Sequence, residues 1–332
     1  MRYFITGATG FIGGRVARQL AQAGHDVRAL VRDSSKAGDL AAQGISVHSG
    51  DITDRDSIRR SMVGVDGVFH IAGWYKVGAR DSLMAERINV DGTRNVLQVM
   101  KELEIPKGVY TSTLAVFSDT RGRTVDETYR PNRSWLSEYD RTKWMAHYDV
   151  AEPLMQGGLP LVIVQPGMVY GPGDTSSLRD SLLQYLRGRL PMTPRGTAFC
   201  WAHVDDTARA HILAMEKGRP GESYIIAGPP HALQEFFEIA EGITGIKAPT
   251  IHPSPALMKG LARMMQVIGH IVPLPTSYTG EALRVIAGVT YLGSNEKAQR
   301  ELGFTPRPLE QGLRETLLHE MALLGIDPKA RS

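Results

Sequence analysis

The chain has 332 residues, 42% hydrophobic and 22% charged, which is enough apolar material for a substantial core and excludes a disordered chain. A formal net charge of +3 without a long basic run excludes nucleic acid as the expected partner. The single cysteine, Cys200, excludes an internal disulfide and points to a reducing compartment; with a first strand expected from residue 2, which leaves no room for a signal peptide, the expected location is cytoplasmic.

The first predicted elements come from RYFITGATGFIGG, residues 2 to 14. Tyr3-Phe4-Ile5 is a short apolar run ending in a glycine turn, and Phe11 and Ile12 open a helical pattern that continues through Val16, Leu20 and Ala23. Gly7, Gly10 and Gly13 lie three apart, the spacing that lets a chain turn, approach a pyrophosphate with bare backbone, and pack a helix on a strand. Alone this is equally an ordinary glycine-rich turn. Asp26 to Val31 (DVRALV) then supplies a second strand and completes a unit of about 30 residues, as a dinucleotide site requires. Gly7, Thr9, Gly10, Phe11, Ile12 and Gly13 are therefore the candidate phosphate loop, with a diphosphate at the positive end of the helix.

Lys36 to Gln43 reads as a short helix, Ile45 to His48 as a strand, and Gly50-Asp51-Ile52 as a turn. A fourth strand is expected at Val65 to Ala72, a long helix over Asp81 to Leu103, a fifth strand at Lys107 to Thr111, a helix over Glu138 to Met155 and a sixth strand at Leu161 to Gln165. Such alternation predicts an α/β fold, a doubly wound parallel sheet with ligands at the carboxyl ends of its strands. Beyond Pro166 helices dominate: Leu178 to Arg187, Asp205 to Glu216, Leu233 to Thr244, Asn295 to Leu302 and Pro308 to Leu324, with short strands at Cys200 to Val204 and Ser223 to Ala227. The expected organisation is a dinucleotide-binding domain over 1–167, with segments near 200–228 returning to it, and a smaller, mostly helical substrate subdomain over 168–199 and 229–325. Pro255 to Pro273 is the most membrane-like stretch, yet 19 residues reach only about 28 Å and are interrupted by Lys259, Arg263 and His270. It reads as an amphipathic helix packed on its own domain, with peripheral membrane contact or a substrate lid as the sharper alternative.

Tyr139 and Lys143 (YDRTK) are four apart on a predicted helix, so both emerge on one face, and a nearby ammonium favours the phenolate of a tyrosine that otherwise titrates near pH 10. Thr111-Ser112-Thr113 ends the fifth strand, where such sheets place reactive groups, although strand-end hydroxyls also serve local backbone bonds. TGATGFIG (6–13), FHIAG (69–73), NVDGTRNV (89–96), VYTST (109–113), YDRTK (139–143), QPGMVYGP (165–172) and ELGFTPRP (301–308) stand in the order and spacing of the extended short-chain dehydrogenase/reductases of the NAD-dependent epimerase/dehydratase superfamily. The chain most resembles their dihydroflavonol-reductase-like and hopanoid-associated sugar-epimerase-like branch. That resemblance implies a Rossmann fold, Tyr139 as general acid/base, and Thr113 hydrogen-bonded to the substrate oxygen, with Ser112 as the alternative hydroxyl. It also implies that Lys143 holds the nicotinamide ribose and lowers Tyr139, that Asn89 braces the site unless it is a helix-surface amide, and that Asp51 and Ile52 flank the adenine. Ala72, Pro166 and Val169 would line the cofactor, and a homodimer would form through the two long helices.

The second strand ends Leu30-Val31-Arg32-Asp33: Val31 stands where an NAD-binding acid is expected, while Arg32 with Lys36 suits a 2′-phosphate. NADP is the expected cofactor and NAD the alternative, Asp33 being accounted for as a helix cap. His203-Val204-Asp205 lacks further ligands, so no metal is expected, and no Gly-x-Ser-x-Gly elbow occurs. Leu114-Ala115 replace the acidic pair that the resemblance would require of a dehydratase. The main expectation is an NADP-dependent reductase or dehydrogenase moving hydride to or from a ketone, aldehyde or secondary alcohol. The alternatives are a sugar-nucleotide epimerase with tightly held NAD and a non-catalytic dinucleotide-binding protein. An apolar or aromatic substrate is expected against Trp74, Tyr75, Phe117, Trp135, Met168, Tyr170, Met192, Phe199 and Trp201, whereas Arg179, Arg187 and Arg195 could serve a diphosphate.

Overall fold

In the computed structural model, which describes residues 1–78, 81–131, 133–272 and 279–326, the short apolar runs of the first half become one parallel sheet. The elements are β1 (Arg2–Thr6), α1 (Phe11–Gln22), β2 (Asp26–Val31), a 3₁₀ turn Ser34–Ala37 leading into α2 (Gly38–Ala42), β3 (Ser46–Ser49), α3 (Arg55–Met62) and β4 (Gly67–His70). They continue through α4 (Ser82–Glu86), α5 (Gly92–Glu102), β5 (Gly108–Thr111), α6 (Glu138–Trp144), α7 (Glu152–Gln156) and β6 (Leu161–Pro166). The order is β3-β2-β1-β4-β5-β6, completed at the edge by β9 (Ser223–Ile226). β4, β5 and β6 are buried along their whole length, which is why they read as continuous apolar runs.

Alternate side chains divide between two core layers. Ile5, Val27, Ala29, Val109 and Val164 pack against Val16 and Leu20 of α1; Phe4, Leu30, Val68, Tyr110 and Ile163 pack against Ile58 and Met62 of α3 and Val96, Leu97 and Met100 of α5. The connection after β1 thus covers one face and that after β4 the other. The carboxyl ends of these adjacent strands form the crevice where a doubly wound sheet binds its ligand.

At Gly167 the chain leaves β6 for a smaller sheet of β7 (Met168–Tyr170), β8 (Ala198–His203), β10 (Pro230–Ala232) and β11 (Thr290–Tyr291). Gly167 is required there, because a Cβ would stand 2.0 Å from the Cys200 carbonyl oxygen. The remaining helices are α8 (Ser177–Leu186), α9 (Val204–Lys217), α10 (Leu233–Thr244), α11 (Pro255–Ile271), α12 (Gly280–Arg284), α13 (Glu296–Leu302) and α14 (Leu309–Leu324). The strand expected at Cys200 to Val204 is β8; it joins the small sheet, while β9 returns to the large one.

Several local features differ from expectation, among them β7, β10, β11 and α12, which no sequence pattern had placed. α3 was not anticipated, because RDSIRRSM offers only Ile58 and Met62 as buried apolar side chains. Each expected long helix contains a wider π-helical stretch, Arg87–Asp91 between α4 and α5 and Met145–Ala151 between α6 and α7. Pro153 falls in the first turn of α7, where a missing N–H is tolerated. Among the described residues no helix is long and apolar enough to cross a membrane; Pro273 and the side chains of His270 and Ile271 lie outside them.

Candidate active site

The turn after β1 is held from two sides. Gly7 has φ +79, and a Cβ there would stand 2.8 Å from the Ala72 nitrogen, so the chain leaving β4 presses directly on the loop. Thr6 lies beside His70 in the sheet, and its Oγ1 accepts from the N–H groups of Ile71 and Ala72, each at 3.2 Å. A Cβ on Gly13 would meet the Gly7 carbonyl oxygen at 2.2 Å, which fixes the first turn of α1 against the end of β1. Thr9 and Gly10 are exposed and Phe11 and Ile12 half-buried. No side chain caps α1, so its first N–H groups face the crevice open to an anion. Arg15 lies over the Phe11 ring at 4.9 Å and donates to Asp205 at 2.8 Å, tying α1 to the start of α9.

The other candidate cofactor residues surround this crevice. Arg32 is exposed just beyond β2 and makes no ion pair among the described residues. Asp33 caps the 3₁₀ turn, accepting from Ser35 N at 3.1 Å and Ser35 Oγ at 2.6 Å. Lys36 lies in that turn, its side chain outside the described residues. Asp51 Oδ1 accepts from Thr53 N and Thr53 Oγ1 at 2.8 and 2.9 Å, leaving Oδ2 without a partner among the described residues. Ile52 is buried beneath α5, so close that a Cβ on Gly92 would meet its Cδ1 at 2.6 Å. Pro166 is buried at the end of β6 and Val169 half-buried in β7. Next to Pro166, both amide atoms of buried Gln165, the first residue of QPGMVYGP, lack a partner among the described residues.

The three hydroxyls ending β5 diverge. Thr111 Oγ1 bonds His211 Nε2 at 2.8 Å, and Ser112 Oγ bonds His147 Nδ1 at 2.7 Å in the π-helical stretch after α6. The Thr113 side chain lies beside the Tyr139 hydroxyl, whose ionised form it favours, and it accepts from Ala115 N at 3.2 Å. Thr113 therefore faces Tyr139, while Ser112 is taken up in the core. Tyr139 and Lys143 lie one turn apart on α6, whose N-terminus is capped by Ser137.

Buried Lys143 donates to the Thr111 carbonyl at 2.8 Å and to Tyr110 Oη at 3.2 Å. Burial pushes the lysine down to about 7. Burial also pushes Tyr139 up to about 12, with the neighbouring Thr113 hydroxyl opposing and the Asp140 charge adding to the rise. This runs against the expected lowering of Tyr139: the ammonium is directed at Thr111 and Tyr110, and burial disfavours its charge. With two of its three donors used, Lys143 retains one for a further acceptor.

Asn89 is a buried brace rather than a surface amide. Its Oδ1 accepts from Trp74 N at 2.7 Å, and its Nδ2 donates to the Trp74 carbonyl and to Thr142 Oγ1, each at 2.9 Å, joining the loop after β4 to α6. Several neighbours were not singled out from the sequence. Asp140, pushed up to about 7 by burial, accepts from Ser137 Oγ at 2.6 Å and from Tyr291 Oη at 3.0 Å. Glu281 accepts from the backbone of Gly78 at 3.0 Å and from that of Glu138. Behind Lys143, Thr93 lies beside Tyr110 with its Oγ1 3.0 Å from His70 Nε2, and His70 Nδ1 lies 2.8 Å from Thr6 Oγ1. Only the cap at Ser137 had a local sequence signal.

Of the aromatic and methionine side chains expected at the substrate, Phe117, Tyr170, Phe199 and Trp201 are core residues, Trp201 stacking on Phe236 at 4.0 Å. Large rings stabilise a core as readily as a pocket. Trp74, Tyr75, Trp135, Met168 and Met192 keep exposed surface. Arg179 is bound bidentately by buried Glu320 at 2.8 and 2.9 Å, while Arg187 and Arg195 are exposed. Among the described residues no cluster of three or more His, Cys, Asp or Glu could hold a metal. His203 caps α9 by accepting from Asp205 N at 3.3 Å, and buried Cys200 has its thiol pushed up to about 11.

Residues 3–227 match the model of the NAD-dependent epimerase/dehydratase family. A Synechocystis sp. protein bearing the name dihydroflavonol 4-reductase is 33% identical over 255 residues, 74% of each chain. A Stigmatella aurantiaca 4-hydroxy-2-methyl-3-oxo-4-farnesyl-3,4-dihydroquinoline-1-oxide ketoreductase is 29% identical over 317 residues, 94% of each chain. The crystal structure of gox2253 superposes with a TM-score of 0.84 at 29% identity, covering 98% of this chain and 99% of that one. The protein belongs to the NAD-dependent epimerase/dehydratase family, within the extended short-chain dehydrogenase/reductases.

Proposed function

We propose that the protein is an NADP-dependent reductase or dehydrogenase that interconverts a ketone or aldehyde and the corresponding alcohol on an apolar or aromatic substrate. The observation that carries this reading is the placement of the Thr113 and Tyr139 hydroxyls beside each other at the carboxyl end of β5, with Lys143 one turn behind. A carbonyl oxygen placed between the two hydroxyls would receive a hydrogen bond from Thr113 and a proton from Tyr139. A tyrosine held near 12 is fully protonated at neutral pH and is thus loaded as the donor for reduction.

The crevice fits a dinucleotide on its own evidence: bare glycines where a Cβ would collide, uncapped helix N–H groups, and a buried lysine with a donor to spare. The nicotinamide, when bound, supplies or takes the hydride. Gly7, Thr9, Gly10, Phe11, Ile12 and Gly13 would hold its diphosphate, Asp51 and Ile52 its adenine, and Lys143 its ribose, with Ala72, Pro166 and Val169 against it. Support for NADP comes from Arg32, which is exposed and unpaired among the described residues, while neighbouring Asp33 is engaged by Ser35. An apolar substrate is supported by Arg179, whose charge is met by Glu320 and not left for a sugar diphosphate. The ketoreductase named above is the relative whose reaction this reading shares. We further propose a cytoplasmic homodimer through the helices around Arg87–Asp91 and Met145–Ala151, to be read by sedimentation.

The deciding experiment denatures the purified protein, identifies any nicotinamide released, and titrates the emptied protein with NADPH and NADH. Reversible NADPH binding, followed by NADPH oxidation with a carbonyl compound and its loss in Tyr139→Phe, is expected. Near-stoichiometric NAD with poor NADPH binding would instead assign an epimerase that recycles its cofactor. Carbonyl turnover unaffected by Tyr139→Phe would refute the assigned proton donor.

A further inference from the structure

Helix α11 presents three different sides. At 3.6 residues per turn, Met258 and Ala262 point together into a small core with Leu283 and Ala287, supported by half-buried Leu261 and Met265. A second side carries Leu257, Gly260, Met264 and Val267, spaced three, four and three apart. Leu257, Met264 and Val267 are 64%, 52% and 65% exposed, a level that packing on the protein does not explain. The third side carries Lys259 and Arg263, one turn apart, both exposed and neither ion-paired among the described residues. The 17 residues of α11 include no aspartate or glutamate.

We propose that this exposed side of α11 is a docking surface for an anionic lipid bilayer. The apolar stripe would sink to the acyl boundary with the helix lying in the interface plane, and Lys259 and Arg263 along its flank would meet lipid phosphates. Charge complementarity selects this occupant over a second copy of the chain. A two-fold contact through the stripe would bring two rows of bases into one interface, and α11 supplies no acid to pair them.

The position of α11 links the surface to the crevice. A Cβ on Gly280 would stand 2.5 Å from the Ala262 carbonyl oxygen, so α12 is packed hard against α11. From α12, Glu281 accepts from the N–H of Glu138, adjacent to Tyr139, and Arg284 donates to the Leu136 carbonyl at 3.2 Å. Docking through α11 would hold the substrate side of the crevice near the bilayer, where an apolar carbonyl compound partitions. This consequence rests on the proposed reaction, whereas the docking does not.

The test is co-flotation of the whole protein with phosphatidylcholine vesicles containing or lacking phosphatidylglycerol, in low and high salt. Binding to the anionic vesicles at least tenfold above the zwitterionic ones, reduced by salt, is expected. Lys259→Gln with Arg263→Gln should weaken it by about fivefold per charge. Met264→Glu with Val267→Glu should abolish it while leaving the thermal midpoint and NADPH affinity unchanged, which separates docking from folding and from the active site. Absence of binding, or equal binding to both vesicle types, overturns the proposal. So does a double glutamate variant that still floats but changes the sedimentation coefficient, which would identify a contact between copies.

Discussion

Ser112 and Thr113 carry the same functional group on adjacent residues, and their partners predict opposite consequences when it is removed. Ser112→Ala leaves buried His147 Nδ1 without its 2.7 Å partner. An unsatisfied buried group costs about 1–3 kcal/mol. With an unfolding entropy of about 2.1 cal/mol/K per residue, 332 residues give about 0.7 kcal/mol/K, so the midpoint should fall by about 1.5–4 °C. Turnover should stay within about twofold, because that hydroxyl is directed away from Tyr139. Thr113→Val keeps the side-chain shape but deletes the hydroxyl beside Tyr139. Loss of one donor to a developing oxyanion costs about 10²–10³ in kcat. NADPH affinity should be preserved, and Thr113→Ser should restore most of the rate. Calorimetry and steady-state kinetics on the three variants, using whichever carbonyl substrate the screen identifies, provide the assay. A tenfold or greater rate loss in Ser112→Ala with none in Thr113→Val would refute the assignment of roles along this strand end.

Four further outcomes are expected. Arg32→Glu should lower the NADPH-to-NADH affinity ratio by about tenfold to a hundredfold, the strength of a charge-assisted phosphate contact; an unchanged ratio in fluorescence titrations would remove Arg32 from the 2′-phosphate site. Gly13→Ala should destabilise by at least about 1–3 kcal/mol and abolish dinucleotide binding, because the new methyl meets a backbone carbonyl at 2.2 Å; a normally folded, fully binding variant would contradict the loop geometry. Asn89→Leu deprives Trp74 N, the Trp74 carbonyl and Thr142 of their partner and should cost about 2–4 kcal/mol with a loss of kcat, whereas retained stability and rate would show the brace to be dispensable. Lys143 is held at about 7 in the fold, below its unfolded value, so between that pH and about 10.4 the unfolded chain binds the extra proton and stability contributed by this site rises with pH. The thermal midpoint of the wild type relative to Lys143→Met should rise with pH across this window, and parallel curves would contradict the buried lysine.

The parts of the site that were legible in the sequence are those set by spacing along the chain. Three glycines at fixed intervals dictated a turn, and a tyrosine and lysine four apart dictated a shared helix face, so these residues fell where they were expected. What spacing does not encode is the partner of a polar group. Ser112 and His147 are 35 residues apart, and Thr111 and His211 are 100, so nothing near VYTST distinguishes the hydroxyl facing Tyr139 from those absorbed by the core. Asp140 and Glu281 escaped notice for the same reason, their partners lying on elements remote in sequence. The arginines make the point quantitatively. Arg32 and Arg179 have the same side chain and the same intrinsic capacity to bind phosphate. Yet Arg179 is closed off by the two hydrogen bonds it donates to a carboxylate 141 residues away, and Glu320 itself is 1% exposed, so releasing that arginine to a ligand would leave an uncompensated buried charge. The fold thus decides which positive charges are available: Arg179 is closed off, while Arg32 at the end of β2 stays exposed.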